Sequence, residues 1–105
     1  MNNQLTIGII GAGGFAAFAA KAFLKIDGIR IKAVTDVNLS FAHHVAGEVN
    51  ALVYEGYEEL LSDTEIDLIY IATPPYLNYA QSKKALLAGK HVICEKHAAL
   101  RTVEA

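Results

Sequence analysis

Gly11-Ala12-Gly13-Gly14-Phe15-Ala16 follows an apolar run in the pattern G-x-G-x-x-A. Such a pattern is chemically suited to holding a phosphate. Gly11 permits a tight turn, and Gly13 has no side chain to keep a pyrophosphate off the backbone. Ala16 is small enough for a following helix to pack closely on the preceding strand. That helix offers unpaired N–H groups and the positive end of its dipole, both of which favour an anion. The competing reading is a tight turn in a small, alanine-rich domain. Asp36 stands 20 residues beyond Ala16. Its carboxylate can accept hydrogen bonds from sugar hydroxyls, or it can serve as a turn or cap residue. Glu95 and Lys96 form a third candidate. A lysine there can exchange a proton with a bound hydroxyl, and the competing reading is a surface ion pair.

These residues are useful only if elements of the right kind position them. Leu5 to Ile10 is a nearly continuous apolar run that suits a strand buried on both faces. Phe15, Phe18 or Ala19, Ala22, Phe23 and Ile26 recur at helical steps, which predicts a helix with this stripe turned inward and an end at Asp27-Gly28. A strand over 29–34 follows, then a helix capped by Asn38 or Ser40 and running to about Glu48. Leu52 to Tyr54 is a short strand, and Tyr57 to Leu61 a short helix. Leu68 to Ala72 is a further buried strand, stopped by Thr73-Pro74-Pro75 at the first turn of a helix that reaches Ala88 and closes at Gly89. His91 to Cys94 is a fifth strand, and residues 100–105 read as the start of another helix. Strands alternating with helices predict an α/β fold of the Rossmann type. Its doubly wound parallel sheet would have about five strands and helices on both faces, all in one domain over 1–105. A chain stopping as a helix begins is expected to belong to something longer.

With 105 residues, 53% of them hydrophobic and 19% charged, the chain is long and apolar enough for one core. The net charge of −2 and the lack of a basic block argue against a nucleic-acid partner. No apolar run approaches the roughly 20 residues that span a bilayer. The single cysteine, Cys94, excludes an intrachain disulfide and fits a cytoplasmic setting. Its apolar strand neighbours suggest a small buried hydrophobe. His43 and His44 are adjacent, so on a helix they point about 100° apart and do not chelate together; no metal site is expected. His91 reads as structural. The five tyrosines have no basic residues interleaved for a base-stacking platform.

The glycines, the flanking strand and helix, and Asp36 together point to a dinucleotide site. A carboxylate at position 36 repels a 2′-phosphate, Val37 and Asn38 bring no cation, and Lys32 lies within the strand. NAD is therefore expected over NADP.

Four stretches carry a resemblance: "GIIGAGGFA", the strand ending in "VTD", "DLIYIATPP" and "AGKHVICEKH". Over essentially its whole length the chain resembles the glucose–fructose oxidoreductase / inositol dehydrogenase / MocA family. The resemblance implies an N-terminal Rossmann domain in an NAD- or NADP-dependent oxidoreductase of sugars, cyclitols and related polyols. Gly11, Gly13 and Ala16 would line the pyrophosphate, with Ala12, Gly14 and Phe15 completing that loop, and Asp36 would take the adenosine ribose. Thr73 and Pro74 would lie near the nicotinamide, Glu95 would contact its ribose, and Lys96 would be the catalytic lysine. It also implies a C-terminal domain beyond Ala105 that supplies most of the substrate pocket and the surface through which members form homo-oligomers. Two departures stand out. His97 replaces the proline of Glu-Lys-Pro, and Thr73-Pro74-Pro75-Tyr76-Leu77-Asn78 replaces Thr-Pro-Asn-x-x-His. They favour an alternative, a non-catalytic dinucleotide-binding or sensor module.

Overall fold

The computed structural model describes residues 4–95. Nine elements follow one another: β1 (Leu5–Ile10), α1 (Gly14–Leu24), β2 (Ile29–Thr35), α2 (Leu39–Val49), β3 (Leu52–Val53), α3 (Tyr57–Ser62), β4 (Leu68–Ile71), α4 (Pro75–Leu87) and β5 (His91–Cys94). The five strands form one parallel sheet in the order β3-β2-β1-β4-β5. The chain winds outward from β1 to β2 and β3, then crosses over to β4 and winds the other way to β5. The order therefore reverses between β1 and β4, and at such a switch point the loops diverge and leave a crevice.

Alternation along the strands sorts the core onto two faces. Ile7, Ile9, Ile31, Val34 and Tyr70 pack with Ala16 and Ala20 of α1 and with Ala42, Val45 and Val49 of α2. Ile10, Ala33, Ile69 and Ile71 pack on the other face with Leu60 of α3 and Ala85 of α4. Both faces are covered, which is why the strands read as continuous apolar runs.

Two expectations need adjustment. The apolar stripe of α1 does not face inward as a whole. The helix docks through Ala16 and Ala20, while Phe18 is 70% exposed and Phe15, Ala22 and Ile26 are exposed with it. Methyl groups let α1 approach the sheet; phenyl rings on that face would hold it away. Ala19 and Phe23 are the exceptions: both pack on the core, Phe23 edge-on against Tyr70 at 5.2 Å between ring centroids. Second, Cys94 is half-buried, with its Sγ 2.8 Å from the Ser82 hydroxyl, rather than a purely apolar core residue. Lys32 lies within β2 as expected; Ile7 pairs with Ile31 but Gly8 pairs with Ala33, so Lys32 is an extra residue there. Of the two candidate caps for α2 it is Asn38, whose side chain accepts from the N–H groups of Ser40 and Phe41. The helix expected over 100–105 lies outside the described residues.

Candidate functional site

A crevice of about 600 Å3 opens at the carboxyl ends of β1, β2 and β4. Its floor is the glycine loop. Gly11 has φ +99°, a conformation that side chains resist, and a Cβ there would sit 2.9 Å from the Ala72 carbonyl carbon. The loop therefore rests directly on the end of β4. Two further bonds fix it. The Gly11 N–H donates to the Thr35 carbonyl at 2.9 Å, and the Ala12 N–H donates to Asp36 Oδ2 at 2.7 Å. Gly13 differs from Gly11. Its φ is −72°, and a Cβ added to it would meet nothing within 4 Å. What Gly13 preserves is open ground above the backbone. Beside it α1 starts with no side-chain cap and no acidic residue in its first turn, so the protein leaves its positive end uncompensated. Open backbone next to an uncapped helix start fits a pyrophosphate.

Asp36 is half-buried at the end of β2. Its Oδ1 accepts the Asn38 N–H at 2.7 Å, and its Oδ2 holds Ala12. Both partners are backbone amides, and one lone pair on each oxygen remains for a ligand hydroxyl. Asp36, Glu55 and Glu58 line the crevice, and among the described residues no Lys or Arg lines it. Thr73 and Pro74 form the opposite lip. The Thr73 hydroxyl donates to Gln81 Oε1 at 2.5 Å, and Asn78 Nδ2 donates to the Thr73 carbonyl at 3.3 Å.

Gly11, Ala12, Gly13, Asp36, Thr73 and Pro74 thus converge on one crevice. Ala16 does not line it; at 1% exposure it belongs to the core. Gly14 begins α1, and Phe15 lies on the helix surface against Phe18, with 6.2 Å between ring centroids. Glu95 follows β5, where its N–H donates to the Ile71 carbonyl and its Oε2 accepts the buried Tyr70 hydroxyl at 2.6 Å. Burial, then the Glu95 carboxylate, pushes the Tyr70 phenol well above its ordinary value. Lys96 and His97 lie outside the described residues. His43 and His44 are both exposed, and His44 lies 3.6 Å from Glu48.

Phe41 and Gln81 also line the crevice, and neither stands in a recognisable motif. Gln81 was open to discovery, because it stands one turn beyond Leu77 on the helix that the Thr-Pro-Pro lip starts. Lys90 is another. It is buried, with Nζ donating to the carbonyls of Asp63 at 2.6 Å and Ile66 at 2.7 Å, and so ties the end of α3 to β5.

Fold and crevice define a dinucleotide-binding Rossmann domain. Residues 5–105 match the model of GFO_IDH_MocA, the oxidoreductase family with an NAD-binding Rossmann fold, and the chain belongs to that family. Among its relatives is an uncharacterized oxidoreductase of Synechocystis sp., 38% identical over 102 residues, matching 96% of this chain and 28% of the relative. The D-xylose 1-dehydrogenase (NADP(+)) of Hypocrea jecorina is 34% identical over 102 residues, matching 85% of this chain and 26% of that enzyme. The crystal structure of myo-inositol 2-dehydrogenase from Lactobacillus plantarum superposes with a TM-score of 0.81 at 26% identity, over 89% of this chain and 28% of that one. The chain spans little more than a quarter of these relatives.

Proposed function

We propose that residues 1–105 form one NAD-binding domain of an oxidoreductase acting on a sugar, cyclitol or related polyol. The observation that carries this reading is the Asp36 carboxylate, clasped to the glycine loop at Ala12 and still open to a ligand beside the bare backbone of Gly13. A bound nicotinamide supplies the hydride acceptor or donor. The chain's own residues hold and orient. The backbone from Gly11 to Gly14 and the start of α1 at Phe15 take the pyrophosphate, with Ala16 seating the helix. Asp36 takes the adenosine ribose hydroxyls. Thr73 and Pro74 wall the nicotinamide side, and Glu95 takes the nicotinamide ribose. Lys96 moves the proton at the substrate hydroxyl.

NAD is preferred over NADP because Asp36 and its acidic neighbours would face the extra phosphate, and among the described residues no cation lines the crevice to offset it. The xylose relative carries NADP(+) in its name. The charge around this crevice, not family membership, therefore supports the preference. In the same reading the full-length protein is a cytoplasmic homo-oligomer whose C-terminal domain completes the substrate pocket. No helix among the described residues is long and apolar enough to cross a membrane. Asn78, turned onto the Thr73 carbonyl and unable to titrate, favours the second reading, a dinucleotide sensor without catalysis. Polyol oxidation by the full-length protein would separate the two.

Calorimetric titration with NAD, NADP and AMP tests the site. NAD is expected to bind at least about tenfold more tightly than NADP, a difference of about 1.4 kcal/mol. Tighter NADP binding overturns the Asp36 argument, and no binding of any of the three overturns the site. The 105-residue chain is expected to bind NAD without turning over a polyol.

A further inference from the structure

Tyr70 is 2% exposed, yet it places a hydroxyl at the functional end of the sheet. It is the third residue of β4, in register with Ile93 of β5. Its ring lies on the α1 face, held edge-on by Phe23. From there the hydroxyl reaches Glu95, just past the end of β5, at 2.6 Å. A buried phenol needs a partner, but a backbone carbonyl would satisfy it. This one instead donates to a carboxylate at the mouth of the sheet, a charge-assisted bond that fixes the acceptor's direction. The Glu95 backbone is fixed independently by the Ile71 carbonyl. Main chain and carboxylate are therefore both anchored to β4, the strand that leads into the Thr73-Pro74 lip.

We propose that Tyr70 is a positioning residue, holding the Glu95 carboxylate where it accepts a ribose hydroxyl of a bound nicotinamide dinucleotide. This rests on the dinucleotide reading given above. The hydrogen bond is internal, so its effect on the ligand passes entirely through Glu95.

A double-mutant cycle on the 105-residue chain tests it, with NAD as the titrant and folding followed by circular dichroism. Tyr70→Phe should weaken NAD about fivefold, Glu95→Ala should weaken it more, and the double variant should match Glu95→Ala alone. A purely structural Tyr70 would lower the melting temperature and leave NAD affinity unchanged, which overturns the proposal. So does a double variant whose loss is the product of the single losses, or a Glu95→Ala chain that binds NAD normally. Failure of the unaltered chain to bind NAD sinks the dinucleotide reading as well, whereas normal binding with an indifferent Tyr70→Phe sinks only the role of Tyr70. If Tyr70→Phe does not fold, the Cζ resonance of 13C-labelled Tyr70 decides in the unaltered chain. A shift on NAD saturation supports the proposal, and no shift overturns it.

Discussion

Asp36 and Asp63 are both partly buried carboxylates beside the same strand, β2, and they are used in opposite ways. Asp63 is held by a cation and a phenol of its own protein. Lys32 Nζ lies 2.7 Å from its Oδ2, the Tyr54 hydroxyl donates to the same oxygen at 2.6 Å, and the Glu65 N–H donates to Oδ1 at 2.9 Å. Burial pushes the Asp63 carboxyl up, but the bonds from Lys32, Tyr54 and Glu65 outweigh it and hold it at about 2. Lys32 is raised in turn, chiefly by its bond to Asp63 and then by Glu65. Asp36 has two backbone N–H partners, no cation partner among the described residues, and a crevice in front of it. A carboxylate whose partners are all internal is a fastening. One tied only at its back, beside open ground, can still bind.

The largest effects should come from the loop that Asp36 clasps. Gly11→Ala forces a side chain into a positive-φ position and against the Ala72 backbone. It should cost about 2–4 kcal/mol of stability and abolish measurable NAD binding. Gly13→Ala sharpens the contrast within the same loop. Its backbone angles suit alanine, and the new methyl meets open space. The melting temperature should hardly move, a change within about 0.5 kcal/mol, while NAD affinity falls at least about tenfold. Equal NAD affinity in Gly13→Ala would mean that no phosphate lies over that backbone. Thermal melts and calorimetry on the same samples read both quantities.

How much of this was legible beforehand follows from the range of each interaction. The glycine loop, the Asn38 cap and the Thr73-Pro74-Pro75 stop are local, so their residue types announce them. The apolar runs announced the strands because both faces of the sheet are covered. The extra residue at Lys32 depends on register with β1, and nothing in "IRIKAVT" signals it. Hydrophobicity alone gives the wrong direction for α1, for a related reason. Hydrophobicity marks Phe15 and Phe18, but docking is set by closeness of approach, which rewards Ala16 and Ala20. The Tyr70–Glu95 bond joins residues 25 apart across two strands; Glu95 stands in a motif, but nothing around Tyr70 signals its partner. At the site, the crevice-lining positions Gly11, Ala12, Gly13, Asp36, Thr73 and Pro74 carried motif signals, whereas Phe41 and Gln81 needed the helices to be placed first.

A smaller effect is expected at Asp36 itself. Asp36→Ala removes the ribose acceptor and also frees the Ala12 and Asn38 N–H groups, which water can take up. NAD should weaken about tenfold, and NADP should weaken less, since the repulsion it feels disappears with the carboxylate. A variant that loses NAD and NADP equally would show that Asp36 acts only as the clasp of the loop.

Asp63→Asn is the counterpart at the other carboxylate, and its effect should be confined to stability. The Asp63 pKa is depressed in the fold, so folding favours the ionised form. That contribution is whole above the unfolded value of about 3.8 and is lost as pH falls toward 2. With Glu65 exposed on the open side of the cluster, solvent screening reduces it to the order of 1 kcal/mol. Urea melts at a series of pH values should show the unaltered chain losing this amount between about pH 4 and pH 2, while Asp63→Asn lacks that part of the acid limb. NAD affinity should be the same in both chains. If neutralising Asp63 weakened NAD as neutralising Asp36 does, the distinction between a fastened and an open carboxylate would fail, and the cluster around Lys32 would have to be counted as part of the binding site.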